Sequence, residues 1–117
     1  MSVFSLEMDI IDGITILLIK GYFGFDAGSE ATKLVEHHLG SGERRFVIDF
    51  SECRLISSPG VVDLLVMICK IEDDFGGRVI ITGLDPLKTS LLEMAGVIPG
   101  VESAYDRATG IELLRKG

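Results

Sequence analysis

The stretch that decides the architecture is FVIDFSECRLISSPGVVDLL, residues 46–65. FVIDF (46–50) is too short and too apolar for a surface helix, and it predicts a central strand. A short polar loop follows, and then Ser57, Ser58 and Pro59. Proline best fits the first helical position, where its missing N–H would be unpaired anyway. That makes Ser58 the predicted N-cap. Its hydroxyl then stands at the positive end of the helix dipole, beside the free amides of Gly60 and Val61. A phosphoryl group there would be partly stabilised and would add about 1.5–2 negative charges. Capping by itself also accounts for a Ser-Pro start.

Downstream, a helix is predicted over about 59–74, stopped by Gly76-Gly77. Val61, Leu64, Leu65, Ile68, Ile71 and Phe75 share one face, as a core stripe should. Val62, Val66 and Cys69 form a second apolar strip, flanked by Asp63, Lys70 and Asp73. Either a neighbouring helix covers that strip or it is an exposed docking patch. RVIITG (78–83) reads as another buried strand. Pro86 opens a third helix, to about Ala95, closed by Gly96. Residues 101–104 read as a short edge strand, and Asp106 as the cap of a last helix to about Lys116.

Upstream, residues 3–10 alternate: Phe4, Leu6, Met8 and Ile10 are apolar, and Ser5, Glu7 and Asp9 are polar. That is a strand with one buried face. Asp12-Gly13 suits a tight primed turn, and ITILLIK (14–20) is a more deeply buried strand, so the two form a hairpin. Gly21 to Gly28 reads as a loop. Asp26 is placed to cap a helix carrying Ala31, Leu34, Val35 and His38 on one face, ended by Gly40-Ser41-Gly42. The predicted fold is α/β: an N-terminal β-hairpin, then alternating helices and strands, giving a mixed, mostly parallel sheet with about four helices. Residues 1–117 are expected to form a single domain.

Composition narrows the function. The chain has 117 residues, 18 acidic and 11 basic, for a formal net charge of −7. Such a surface repels phosphate backbones and anionic lipid, so nucleic acid and membrane surfaces are poor partners. The N-terminus MSVFSLEMD lacks a basic start and an apolar signal core, and no apolar run approaches the roughly 20 residues of a spanning helix. Cys53 and Cys69 have no CxxC spacing or companion ligands and read as small apolar side chains. A cytoplasmic protein is expected.

Catalysis finds little footing. The only histidines, His37 and His38, are adjacent on a helix and point about 100° apart, a poor arrangement for one metal. No GxSxG, GxxxxGK[ST], GxGxxG or HExxH occurs. Asp49, near the C-terminal end of FVIDF, could serve a site or simply satisfy amides of the next loop. No enzyme activity, cofactor or metal is expected.

The segment Ile56-Ser57-Ser58-Pro59-Gly60-Val61 resembles the signature of the STAS family, the domain shared by sulphate transporters and anti-sigma-factor antagonists. That signature is an apolar strand, an acidic or polar loop, then Asp-Ser-Ser/Ala-Gly-Leu-Gly and a helix. Gly21 after the second strand, GGRVIITG (76–83) and LDPLKTSLLEMAGV (84–97) add to the likeness, which spans nearly the whole chain. Here Ser57 stands where the family has Asp, Ser58 matches the phosphoacceptor, Pro59 takes the next small residue's place and Gly60 matches the family glycine. Gly24 falls where the family has an acidic residue, unless a short insertion brings Asp26 there. The resemblance implies a non-enzymatic signalling protein of the bacterial anti-sigma-factor antagonist type. Such a protein binds an anti-sigma factor that is a serine kinase, and Ser58 is the candidate phosphoacceptor, with Ser57 the second choice. Asp26, Ser57, Ser58, Gly60, Val62 and Val66 are the candidate partner contacts. The alternative is a STAS-type accessory subunit of a lipid-transporting ATPase complex, without phosphoregulation.

Overall fold

The computed structural model describes residues 3–116. Strands β1 (Phe4–Ile11) and β2 (Ile14–Phe23) open the chain, followed by α1 (Phe25–Gly40), β3 (Arg45–Ile56) and α2 (Ser58–Cys69). A π-helical turn, Lys70–Asp74, extends α2. Then come β4 (Arg78–Thr82), α3 (Pro86–Met94), β5 (Glu102–Ala104) and α4 (Arg107–Lys116). The sheet has five strands in the order β1-β2-β3-β4-β5. β1 and β2 are antiparallel, and every other pair is parallel. The alternating hairpin, the parallel crossovers and the four helices match the sequence-based expectation.

Asp12 (φ 53°) and Gly13 (φ 74°) make the hairpin turn, both in the left-handed region that a primed turn requires. The main core lies on one face of the sheet. Leu17, Ile19, Phe46, Ile48, Val79 and Ile81 meet α1, α2 and α3 there. On the other face Ile14, Ile16, Val47 and Ile80 meet Ile111 and Leu114 of α4, a smaller second core. Burial on both faces is why β2 through β4 read as near-continuous apolar runs.

Four expectations are corrected. The loop expected at 21–28 is absent: Gly21, Tyr22 and Phe23 continue β2, and α1 begins at Phe25. Gly24 is its N-cap, so Asp26 lies in the first helical turn and does not cap. The polar loop expected after Phe50 is strand as far as Ile56. Two register shifts put extra β3 residues opposite β2, so Lys20 faces Glu52, and Phe23 faces Ile56. Bulges of this kind disrupt the two-residue alternation that marks a strand in sequence. In the second helix the core arc is rotated from the expected stripe. Met67 is fully buried, while Leu65 is 37% and Phe75 43% exposed. Phe75 instead lies under the Arg44 guanidinium, 5.0 Å from the ring centroid.

Candidate functional site

The parallel strands deliver four helix starts to one rim, and the start of α2 is the most crowded. Ile56 ends β3 beside Phe23, the last residue of β2. The Ser57 N–H donates to the Phe23 carbonyl at 3.0 Å, and the Ser57 carbonyl accepts from the Val61 N–H at 3.0 Å. Ser57 is therefore the N-cap, with extended backbone (φ −93°, ψ 169°). Ser58 is the first helical residue and Pro59 the second. The expected N-cap at Ser58 thus moves back by one residue. Proline fits the second position equally well, since that N–H is also unpaired in a helix. With Val61 engaged and Pro59 lacking a donor, Ser58 and Gly60 hold the free helical amides.

The two serines differ sharply. The Ser57 hydroxyl is buried without a hydrogen-bond partner among the described residues, and it does not cap the helix. Ser58 is exposed. No carboxylate lies in the first turn of α2.

Glycines make this packing possible. A Cβ on Gly60 would collide with the Phe23 carbonyl oxygen, one on Gly24 with the Tyr22 ring, and one on Gly28 with the Asp63 carboxylate. Gly24 also lies against the Ser57 hydroxyl. The end of β2 and the first turns of α1 and α2 are thereby locked together. Phe23 and Phe50 meet edge to face below them, at 5.7 Å between centroids. Asp26 is exposed on the adjoining first turn of α1.

Ser58, Val62 and Val66 follow one another at four-residue spacing and so share a helix face. Val62 is 60% and Val66 40% exposed. With Leu65 and exposed Cys69 they line a shallow apolar groove closed by Lys70 and Asp74. Of the two readings left open for this strip, exposure is the one observed: no helix among the described residues covers it. Lys70 pairs with Glu36 of α1 at 3.0 Å along the border. Leu65, assigned from sequence to the core, belongs to the groove, and the sequence reading passed over Phe25, 68% exposed at the start of α1.

A second cleft, of about 700 Å³, opens on the same rim and is lined by Asp49, Asp85, Tyr105, Asp106 and Arg107 among others. Asp49 is buried. Its Oδ1 accepts from the Ser51 N–H at 2.9 Å, and its Oδ2 pairs with Arg107 Nε and Nη2, both at 2.9 Å. The charges here answer one another: Asp85 Oδ2 accepts from Lys88 Nζ at 2.6 Å. Of the two cysteines, Cys53 is buried, and burial pushes its thiol up from the ordinary range. Cys69 is exposed, on the strip where the sequence placed it. Among the described residues no group of three or more His, Cys, Asp or Glu is placed to hold a metal ion. No helix of the described residues is long and apolar enough to cross a membrane.

No protein-family model matches the chain, and no curated protein matches it by sequence. Solved structures do match. An anti-sigma factor antagonist from Mycobacterium paratuberculosis superposes with a TM-score of 0.84 at 13% identity, covering 97% of this chain and 95% of that one. RsbS from Moorella thermoacetica, carrying a serine-to-glutamate substitution, gives 0.83 at 17% identity and 95% coverage of both chains. The Bacillus cell fate determinant SpoIIAA in its phosphorylated form gives 0.73 at 18% identity, covering 97% of this chain and all of that one. Likeness at this identity speaks for the fold, and with the element order, sheet topology and hairpin above it shows that the chain folds as a STAS domain.

Proposed function

We propose that the chain is a regulatory docking protein of the anti-sigma-factor antagonist kind, whose partner is an anti-sigma factor with serine kinase activity. One observation carries this reading. Ser58 stands exposed at the first position of α2, on a helix start with no side-chain cap and no carboxylate in its first turn, at the head of the exposed Val62–Val66 strip. A partner seated on the strip covers apolar area that this chain leaves in water. Its active site then reaches a hydroxyl at the strip's edge. Phosphate on Ser58 would be held by the Ser58 and Gly60 amides and the helix dipole. It would add about 1.5–2 negative charges at the rim of the interface, enough to dismiss the partner. Ser57 is the weaker acceptor because its oxygen is enclosed. The named roles of the similar solved structures support the same reading.

The test uses the full chain with candidate anti-sigma kinases from the source genome and ATP, read by intact mass and peptide mapping. One phosphate is expected, on Ser58, absent from S58A, with the complex weakened at least about tenfold by S58E. A complex that survives both V62D and V66D unchanged would remove the strip from the interface. Phosphate confined to Ser57 would overturn the assignment of Ser58.

A further inference from the structure

A separate feature, independent of the partner proposed above, lies at the opposite edge of the sheet from β5. β1 is an edge strand, paired only with β2. The Val3 carbonyl accepts from the Tyr22 N–H at 2.9 Å, and the register continues from Phe4 opposite Gly21 to Ile11 opposite Ile14. In an antiparallel ladder, bonding alternates along the strand. Odd positions therefore bond inward, and the backbone groups of Phe4, Leu6, Met8 and Ile10 point away from the sheet. The Ile10 N–H is already taken by Asp9 Oδ1, at 2.8 Å. Phe4, Leu6 and Met8 are left with three donors and three acceptors in an open row. Their side chains are only half buried against the main core.

This row is complementary to itself. Pairing two copies about an axis through Leu6 sets Leu6 opposite Leu6 and Phe4 opposite Met8, and it uses all six outward groups. On the polar face Glu7 then faces Ser5 of the other copy, and no acid directly opposes an acid. The two Glu7 side chains meet only on the diagonal, and each already holds its own Lys20 at 2.8 Å. Shifting the axis to Glu7 would oppose Glu7 with Glu7 and spend a pair on the occupied Ile10 N–H. Shifting it to Ser5 would use, among the described residues, only Phe4 and Leu6. We propose that two copies of this chain associate through β1 about a two-fold axis at Leu6, joining their sheets edge to edge in one continuous sheet.

Ser5 is exposed, so its substitution leaves the monomer's core untouched. Sedimentation velocity of the full chain across roughly 0.01–1 mM is expected to show a reversible dimer. S5E places like charges opposite one another at two symmetric positions and should weaken the dimer roughly tenfold. S5K supplies opposite charges there and should tighten it by a similar factor, with both effects shrinking in high salt. A chain monomeric throughout that range overturns the proposal. So does a dimer that S5E and S5K leave unchanged or shift in the same direction, since it would use another surface.

Discussion

The start of α2 and the starts of α3 and α4 stand on the same rim and are finished differently. Asp85 caps α3, its Oδ1 accepting from the Lys88 N–H at 2.8 Å, and Asp106 caps α4 by accepting from the Thr109 N–H at 2.9 Å. Each of these helices already has a carboxylate at its positive end. α2 begins with a serine whose hydroxyl bonds nothing among the described residues and has no acid in its first turn. The contrast teaches where negative charge is already supplied and where it is still wanted. α3 and α4 are complete as folded, whereas α2 gets its stability from packing and keeps its electrostatic vacancy facing solvent.

If packing holds the start of α2, removing its room should do the greatest damage. G60A drives a methyl into the Phe23 carbonyl, and overpacking of this kind costs about 2–3 kcal/mol. Thermal unfolding should show a midpoint lowered by roughly 10 °C. An unchanged midpoint would mean that Phe23 and α2 are not in contact.

The capped helices should respond next. D106A and D85A should each lower the midpoint by a few degrees, about the loss typical of a helix cap. Acid gives the same comparison without mutation. Hydrogen bonds from Lys88 hold the Asp85 carboxyl below its usual range, and those from Thr109 do so for Asp106. A carboxyl whose folded pKa lies below its unfolded value stabilises the fold above the unfolded pKa. That contribution disappears as pH falls through the folded one. Stability should therefore decline below about pH 4, and the double variant D85A/D106A should decline less steeply there. An identical slope would show that these caps do not titrate with folding.

The smallest effect is expected at Ser57. S57A deletes a buried hydroxyl without a partner, so stability should stay within about 0.5 kcal/mol or rise slightly. A loss comparable to that of D106A would show that Ser57 caps α2 after all and would dissolve the contrast.

Much of this arrangement was readable before any coordinates. Alternation in residues 4–10, the Asp12-Gly13 turn, Pro86 and Asp106 are local signals, and each carries its own geometry. What escaped reading depends on distant partners. Residues 51–56 mix polar and apolar side chains and are twice bulged, so they look like a loop until β2 is laid beside them. Gly24, Gly28 and Gly60 are ordinary glycines in sequence, because the atoms that would strike a side chain belong to Tyr22, Asp63 and Phe23. The Asp49–Arg107 pair spans 58 positions, with nothing in either neighbourhood to announce the other. Ser58 was identifiable, but its difference from Ser57 rests on which oxygen the end of β2 encloses.

The three glycine contacts also determine how this corner answers a load. At Gly60, where the helix backbone lies directly against the Phe23 carbonyl, there is no slack for a hinge to take up. α2 cannot tip without dragging the first turn of α1 and the tip of β2 along with it. A charge written onto Ser58 would therefore be broadcast as an electric field from a stiff platform, and a reader of that charge would meet the same shape before and after.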